Sequence, residues 1–329
     1  MQFIKNTPKN SSQNSTKANL CSEQKPQIIL VIRILFEVVW TILRTNYEIL
    51  KAIIKWFIPP EPKDVSDEIV LITGAGHGMG REVALRFGKL GAIVICVDIN
   101  PQGNEETVKI IKQGKGKAFR YECDVTNREA VLKLADQVSR DVGEVSILIN
   151  NAGIMPCKPV LRHSEKEIRT MMDINVNGNL WMIQAFLPSM LERNHGHIVA
   201  MSSMAGKMGL RNLVPYCGSK YAARGIMEAL AVELHEDPRD TNGINFTTVS
   251  PYIVNTGLCL KPRIRFQRLM KTIDPGDAAD QIVDAIRRDY HEITIPSDLY
   301  YGNKIFNLLP PGAGKILTDF IGTGLDPHD

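Results

Sequence analysis

The sequence predicts an α/β fold. A single doubly wound domain, built on a parallel sheet of about seven strands, comes after an amphipathic helix that associates with a membrane. Three observations predict it. From residue 68 onward short apolar runs alternate with amphipathic segments, the pattern of strands joined by crossover helices. The first run passes directly into a glycine-rich turn, Thr73-Gly74-Ala75-Gly76-His77-Gly78-Met79-Gly80. Residues 28–58 are apolar except for one narrow charged stripe, and Pro59-Pro60-Glu61-Pro62 separates them from the rest of the chain.

The 329 residues suffice for one large domain with extensions, and such a domain buries a core without covalent staples. A net charge of +3, with 23% charged residues, lacks the basic stripe of a nucleic-acid binder. Six scattered cysteines form no C-x-x-C and have no close histidine partner. That argues against a metal site and against a disulfide framework, and it points to a reducing compartment. Cys96 lies inside an apolar run and reads as a small core residue.

Residues 1–27 are polar and read as a disordered tail. Sequons occur in this tail at Asn10 and Asn14. Within 28–58 the charged residues Arg33, Glu37, Arg44, Glu48, Lys51 and Lys55 are spaced 4, 7, 4, 3 and 4 apart. At ~100° per residue they fall within a wedge of roughly 60°. A thin stripe of this kind suits a helix lying along a membrane interface or entering it as a hairpin, in preference to a full span or a soluble core or dimer helix, because each charge inside hydrocarbon would cost ~2.5–3.5 kcal/mol. The i,i+4 pairs Arg33/Glu37 and Arg44/Glu48 offset little of that, and Trp40, Tyr47 and Trp56 suit headgroup level. Residues 59–67 form a stiff proline-rich linker.

Residues 68–300 form the main α/β domain. After the strand at 68–73, the glycine turn opens a helix at 81–90. Free N–H groups and the positive dipole end at such a helix start favour a pyrophosphate, and glycines allow its close approach. Thr73, Gly74, Gly76, His77, Gly78, Met79 and Gly80 are therefore candidate cofactor contacts. The second strand, 92–99, ends at Asp98, placed 24 residues after Gly74. A carboxylate there accepts from ribose hydroxyls and repels a 2′-phosphate, which favours NAD over NADP. Alternation continues with a helix at 102–113, a strand at 118–125, a helix at 128–142 and a strand at 145–149. Asp124 and Val125 close the third strand near the adenine edge. Asn150-Asn151-Ala152-Gly153 closes the fourth with small polar residues, so Asn151, Ala152 and Gly153 join the cofactor contacts.

Tyr216 and Lys220 are four apart, hence on one face of a helix, one turn from each other. A neighbouring ammonium is expected to lower the phenol pKa and fit it for proton transfer. T-G-x-x-x-G-x-G at 73–80, N-N-A-G at 150–153 and Y-x-x-x-K at 216–220 together resemble the short-chain dehydrogenases/reductases, over residues 69–295. Within that family the likeness is to the membrane-associated retinol and 17-beta-hydroxysteroid dehydrogenase branch. The resemblance implies a Rossmann-type domain and hydride transfer between NAD and a hydrophobic alcohol, or the reverse reduction of a ketone or aldehyde. It also implies an endoplasmic-reticulum membrane or lipid-droplet location, with the catalytic domain on the cytosolic face.

The family's serine falls on Ser203, with Ser202 a structural neighbour. Its asparagine falls on Asn175, with Asn177 a weaker candidate. The resemblance gives Tyr216 the proton, Lys220 the nicotinamide ribose and Ser203 the substrate oxygen. It expects Asn175 to interrupt its helix and hold a water that links Lys220 to solvent. Thr256 matches a threonine that contacts the cofactor in relatives. Pro251-Tyr252 replaces the family's proline-glycine, so Tyr252 is expected either to narrow the substrate site or to be a packed aromatic.

Other expectations are a strand at 197–201 with His195 and His197 at the surface, a helix at 226–236 and a strand at 244–249. The resemblance implies a substrate lid at 252–273; at 258–271 Lys261, Arg263, Arg265, Arg268 and Lys271 interleave with apolar residues, either to meet anionic headgroups or as a solvated helix. An apolar tail, 301–329, is split by Pro310-Pro311. Family members pair through the helices at 164–193 and 213–236, which implies a homodimer. A different reading is a lipid-droplet or reticulum scaffold protein with a vestigial dehydrogenase domain. The joint presence of Ser203, Tyr216, Lys220 and Asn175 argues against it, because nothing structural requires all four.

Overall fold

The computed structural model describes residues 12–266, 271–322 and 324–327. It divides into two compact units, 1–61 and 62–329. The first consists of helix α1 (Ser12–Phe57). This helix begins well ahead of residue 28, in a stretch where Lys, Gln, Glu and Ala are good helix formers. Apolar side chains such as Leu30, Phe36, Trp40, Leu43 and Ile54 remain about half or more exposed. Arg33 pairs with Glu37 at 2.9 Å as the spacing predicts, whereas Glu48 reaches Lys51 at 3.5 Å. Among the described residues no helix is long and apolar enough to cross a membrane. Residues 1–11, with the Asn10 sequon, lie outside the described residues.

In the second unit, β1 (Ile69–Thr73), α2 (Gly78–Lys89), β2 (Ile93–Asp98), α3 (Pro101–Gln113), β3 (Lys117–Glu122), α4 (Arg128–Asp141) and β4 (Ile147–Asn150) form the first half. The second half comprises α5 (Glu165–Met172), α6 (Gly178–Arg193), β5 (Gly196–Met201), α7 (Val214–His235), β6 (Ile244–Pro251), β7 (Pro262–Arg263), α8 (Pro275–Arg287) and β8 (Glu292–Ile295). The tail carries α9 (Asp298–Asn307), α10 (Pro311–Ile321) and β9 (Gly324–Leu325).

Seven strands lie in the order β3-β2-β1-β4-β5-β6-β8, and every neighbouring pair is parallel. Alternate residues of β1 serve opposite faces. Val70 and Ile72 pack with Phe87 and Ile282, and Leu71 packs with Met182 and Phe186. Burial on both faces explains why these strands read as unbroken apolar runs. The strand order reverses between β1 and β4, and that reversal opens a crevice at their carboxyl ends.

Four details differ from the sequence expectations. The third strand stops at Glu122, so Asp124 and Val125 sit in the turn beyond it. Helix α7 is one continuous element from Val214, which places Tyr216 and Lys220 in its first two turns. The described part of the 258–271 segment is not helical: Pro262 and Arg263 pair antiparallel with Leu325 and Gly324, while Arg268, Leu269 and Met270 lie outside the described residues. His197 is not at the surface. It is 1% exposed, with Nε2 at 2.8 Å from Thr247 Oγ1 and Nδ1 at 3.0 Å from Lys63 Nζ. Burial and the Lys63 charge hold its pKa well below the usual value, so it stays neutral. His195 is exposed as expected. The tail breaks at Pro310, as its proline pair predicts.

Candidate active site

The glycine turn is shaped by what side chains would strike. Gly74 and Gly78 have φ of 67° and 57°, the left-handed region that only glycine enters freely. A Cβ at Gly80 would collide with the Gly74 carbonyl, and one at Gly76 would lie 2.9 Å from Asp98 Oδ2. Helix α2 starts after His77 without any side-chain cap, whereas Asn100 and Asn127 cap α3 and α4. The first N–H groups of α2 thus remain available to an anion.

Asp98 receives Gly76 N at 2.8 Å on one oxygen and Asn100 N at 2.9 Å on the other. Each oxygen keeps a lone pair for a hydroxyl donor. Thr73 is buried beneath the turn, where its Oγ1 accepts from the backbone of Asn151 and Ala152, both at 3.0 Å. Asn151 Nδ2 returns the tie by donating to Thr73 O at 2.9 Å. Arg81 braces the loop from behind, donating to Gly76 O at 2.6 Å and pairing with Glu106. Nothing in the glycine pattern had marked Arg81.

Two cavities open on this framework. The first is a cleft lined by Gly74, His77, Gly78, Met79, Asp98, Asp124, Val125, Asn151, Ala152, Gly153 and Thr256. The second, ≈ 700 Å³ and partly open to solvent, is lined by Ser203, Tyr216 and Tyr252 among apolar neighbours. Met79 and Thr256 line both, so the two spaces adjoin. Thr73, Gly76, Gly80, Asn175 and Lys220 are not in either lining and stand behind it.

Tyr216 is 5% exposed, and its phenol and the Ser203 hydroxyl line the same cavity. Burial pushes its phenol up to about 12, with the polarity of the nearby Ser203 hydroxyl pulling the other way. Lys220 Nζ lies 5.7 Å from the centre of the Tyr216 ring and donates to Met201 O at 2.7 Å. Burial pulls Lys220 down to about 8. The expected lowering of the phenol by the ammonium is therefore not what the geometry gives. The amine faces the ring and a carbonyl, and desolvation disfavours charge on both groups.

Ser203 Oγ accepts from Ala205 N at 3.1 Å and lies 3.5 Å from Pro251 O, which fixes its direction. Ser202 Oγ instead donates to Lys220 O at 2.9 Å, a structural tie. Asn175 lies in a π-helical turn, Asp173–Asn177, so the long helix is interrupted there. Its amide donates to Ile154 O and Ser219 Oγ, both at 3.0 Å, and Ile154 N donates to Oδ1 at 2.9 Å. The Asn175 carbonyl accepts from Asn179 Nδ2 at 2.9 Å. Both amide hydrogens are engaged by protein, which gives Asn175 a bracing task between the loop after β4 and α7. Asn177 Nδ2 donates to Asp173 on its own turn. Gly153 leaves room for the pair beneath it: a Cβ there would lie 3.2 Å from Asn175 Oδ1 and 3.5 Å from Lys220 Nζ.

Sequence reasoning missed much of the apolar cavity lining, including Met155, Leu210, Leu213 and Leu325. These residues have no common spacing and meet only when the chain folds. Among the described residues no group of three or more His, Cys, Asp or Glu is placed to hold a metal.

This arrangement is that of a dinucleotide-dependent oxidoreductase, and comparison with known proteins agrees. The short chain dehydrogenase family model matches residues 68–263, and the chain belongs to that family. It is similar to epidermal retinol dehydrogenase 2 of Homo sapiens, 39% identical over 85% of this chain and 90% of the relative. It is also 36% identical to 17-beta-hydroxysteroid dehydrogenase 13 of Homo sapiens, over 87% and 94% of the two chains. Among solved structures, a short chain dehydrogenase/reductase from Burkholderia phymatum in complex with NAD shares the fold. Its TM-score is 0.67 at 22% identity, covering 81% of this chain and 98% of that one. The protein is thus an oxidoreductase related to retinol and hydroxysteroid dehydrogenases.

Proposed function

We propose that the protein transfers hydride between NAD and a hydrophobic alcohol, with retinol the first candidate substrate and a 17-beta-hydroxysteroid the second. One observation carries this reading. The Ser203–Tyr216 hydroxyl pair opens into a cavity that, among the described residues, is lined without a charged side chain, directly beside the glycine-walled cleft. Retinol and hydroxysteroid relatives at 39% and 36% identity support the substrate class.

The cleft fits the cofactor through an uncapped helix start, glycines at the points of closest approach and Asp98 at the ribose end. Bound there, the dinucleotide supplies the hydride acceptor. The chain supplies orientation and the proton path. Ser203 holds the substrate oxygen, and Tyr216 exchanges the proton with it. The amine of Lys220, braced together with Asn175 beneath Gly153, keeps positive charge near the reacting end. A phenol pushed up to about 12 is protonated at neutral pH, which suits donation in the reductive direction. Oxidation needs the phenolate instead, which burial disfavours.

The test is nucleotide turnover by the purified full chain in detergent micelles, with retinol, a 17-beta-hydroxysteroid and a short water-soluble alcohol. Turnover of the lipid alcohols with NAD is expected. A chain that binds NAD yet oxidises or reduces none of them would instead support the scaffold reading. Cofactor choice has its own variant. Asp98→Ser removes the carboxylate that repels a 2′-phosphate and loosens the tie to Gly76, so kcat/KM should fall with NAD and rise relative to it with NADP. An unchanged NAD/NADP ratio would remove Asp98 from the cofactor site.

The exposed apolar surface of α1, with its single charged stripe, further supports association with a membrane or lipid-droplet surface through residues 28–58. Five cysteines among the described residues are free, in keeping with a catalytic domain on the cytosolic side. Deletion of residues 28–58 is expected to move the protein from the membrane pellet to the supernatant with turnover retained. A deleted chain that still pellets would place the anchor elsewhere. Pairing through α6 and α7 would make the enzyme a homodimer, which light scattering in detergent would show.

A further inference from the structure

We propose that Leu325 forms the outer wall of the substrate cavity and sets the length of apolar substrate it admits, an inference that rests on the hydrophobic-alcohol reading above. Leu325 is far from every motif in sequence, yet it is 6% exposed and packs in one apolar cluster with Tyr216, Met155 and Leu213. Gly324 and Leu325 both line the cavity that holds the Ser203 and Tyr216 hydroxyls. Among the described residues no charged side chain lines it, so the ligand portion that meets this wall is uncharged and apolar.

The wall is held by backbone contacts on several sides. Leu325 pairs with Pro262 across the β7–β9 ladder. Its carbonyl accepts from Asn212 Nδ2 at 2.9 Å. The next amide, Asp326 N, donates to Lys261 O at 3.1 Å. Just upstream, Arg265 Nη1 donates to Phe320 O at 2.8 Å, and its guanidinium stacks 5.4 Å from the Phe320 ring. Asn212 is buried, with φ of 65°. Asparagine is among the few residues that tolerate that conformation, and here its amide is committed to the wall. Asn212 is accordingly a positioning residue for Leu325.

The test uses the full chain in detergent micelles and a fluorescent polyene alcohol as probe, displaced by straight-chain primary alcohols of increasing length. One methylene in an apolar pocket is worth about 10-fold or more in discrimination. Leu325→Ala should shift the preferred chain toward longer alcohols, with about a 10-fold gain for the longest. Leu325→Trp should weaken the longest alcohols most. Asn212→Asp keeps side-chain size and backbone tolerance but cannot donate; it should shift the preference in the same direction as Leu325→Ala, by less. NAD affinity should stay unchanged in all three. Should Leu325→Ala fail to fold, Leu325→Val gives the same direction. A change equal at every chain length, or no change, would overturn the proposal. A length shift seen in binding while even the unsubstituted protein lacks turnover would leave the wall standing and defeat the dehydrogenase reading.

Discussion

Tyr216→Phe is expected to lower turnover by about 10²–10⁴-fold, the range general acid–base catalysis supplies, while NAD binding stays near that of the unsubstituted protein. The substitution removes one oxygen from a side chain that is 5% exposed and leaves its packing against Leu213 and Leu325 in place. Ser203 retains its bond from Ala205 N, so its hydroxyl keeps its direction. The loss should therefore appear in kcat, with little change in the KM for NAD. Single-turnover hydride transfer and an NAD titration on the same preparation measure both. Activity within about tenfold of the original would assign the proton to another group.

Lys220→Met should abolish useful turnover and yet make the folded chain more stable at pH 7. A lysine pulled from 10.5 to about 8 by burial holds its charge at a cost of about 3 kcal/mol, at 1.36 kcal/mol per pKa unit. Methionine keeps much of the volume without that charge. Loss of the bond to Met201 O offsets about 1 kcal/mol of the gain, for a net of about 1–2 kcal/mol. The pH dependence has a defined sign. Between about 8 and 10.5 the unfolded chain binds the Lys220 proton and the folded chain does not, so stability rises with pH across that window. The advantage of the variant should shrink over the same range and be least above 10.5. Tyr216, raised from 10.0 to about 12, makes both proteins less stable from pH 10 upward and cancels in the difference. Chemical denaturation at pH 7, 9 and 10.5 reads the effect. A variant less stable at pH 7 would mean that the amine is not desolvated as the geometry implies.

The sheet and the nucleotide cleft were legible in the sequence because they rest on local rules. Unbroken runs of Ile, Val and Leu announce a strand buried on both faces. A glycine turn that joins a strand to a helix has few other uses. Tyr216, Lys220 and Ser203 came from spacing and from a family likeness, and all three meet at the cavity or directly behind it. What stayed hidden depends on packing between distant segments. The sequence carries no sign that His197 is inside, since its partners Thr247 and Lys63 come from other elements. Nor does it show that desolvation outweighs the ammonium at Tyr216, because burial is a property of the whole fold. Leu325 reaches the cavity through a two-residue ladder too short to leave a periodic signal.

The π-helical turn at Asp173–Asn177 carries a consequence for helical phase. A π turn holds one residue more than an α turn spanning the same length, so α5 and α6 are offset by about 100° relative to one unbroken helix. Removing a single residue from this turn would rewind it and swing everything upstream or downstream by that angle. Either the Asn175 amide would leave Ile154 and Ser219, or Met182 and Phe186 would rotate out of the layer against Leu71. The extra residue thus lets one helix satisfy two orientations that a regular spiral could not present together.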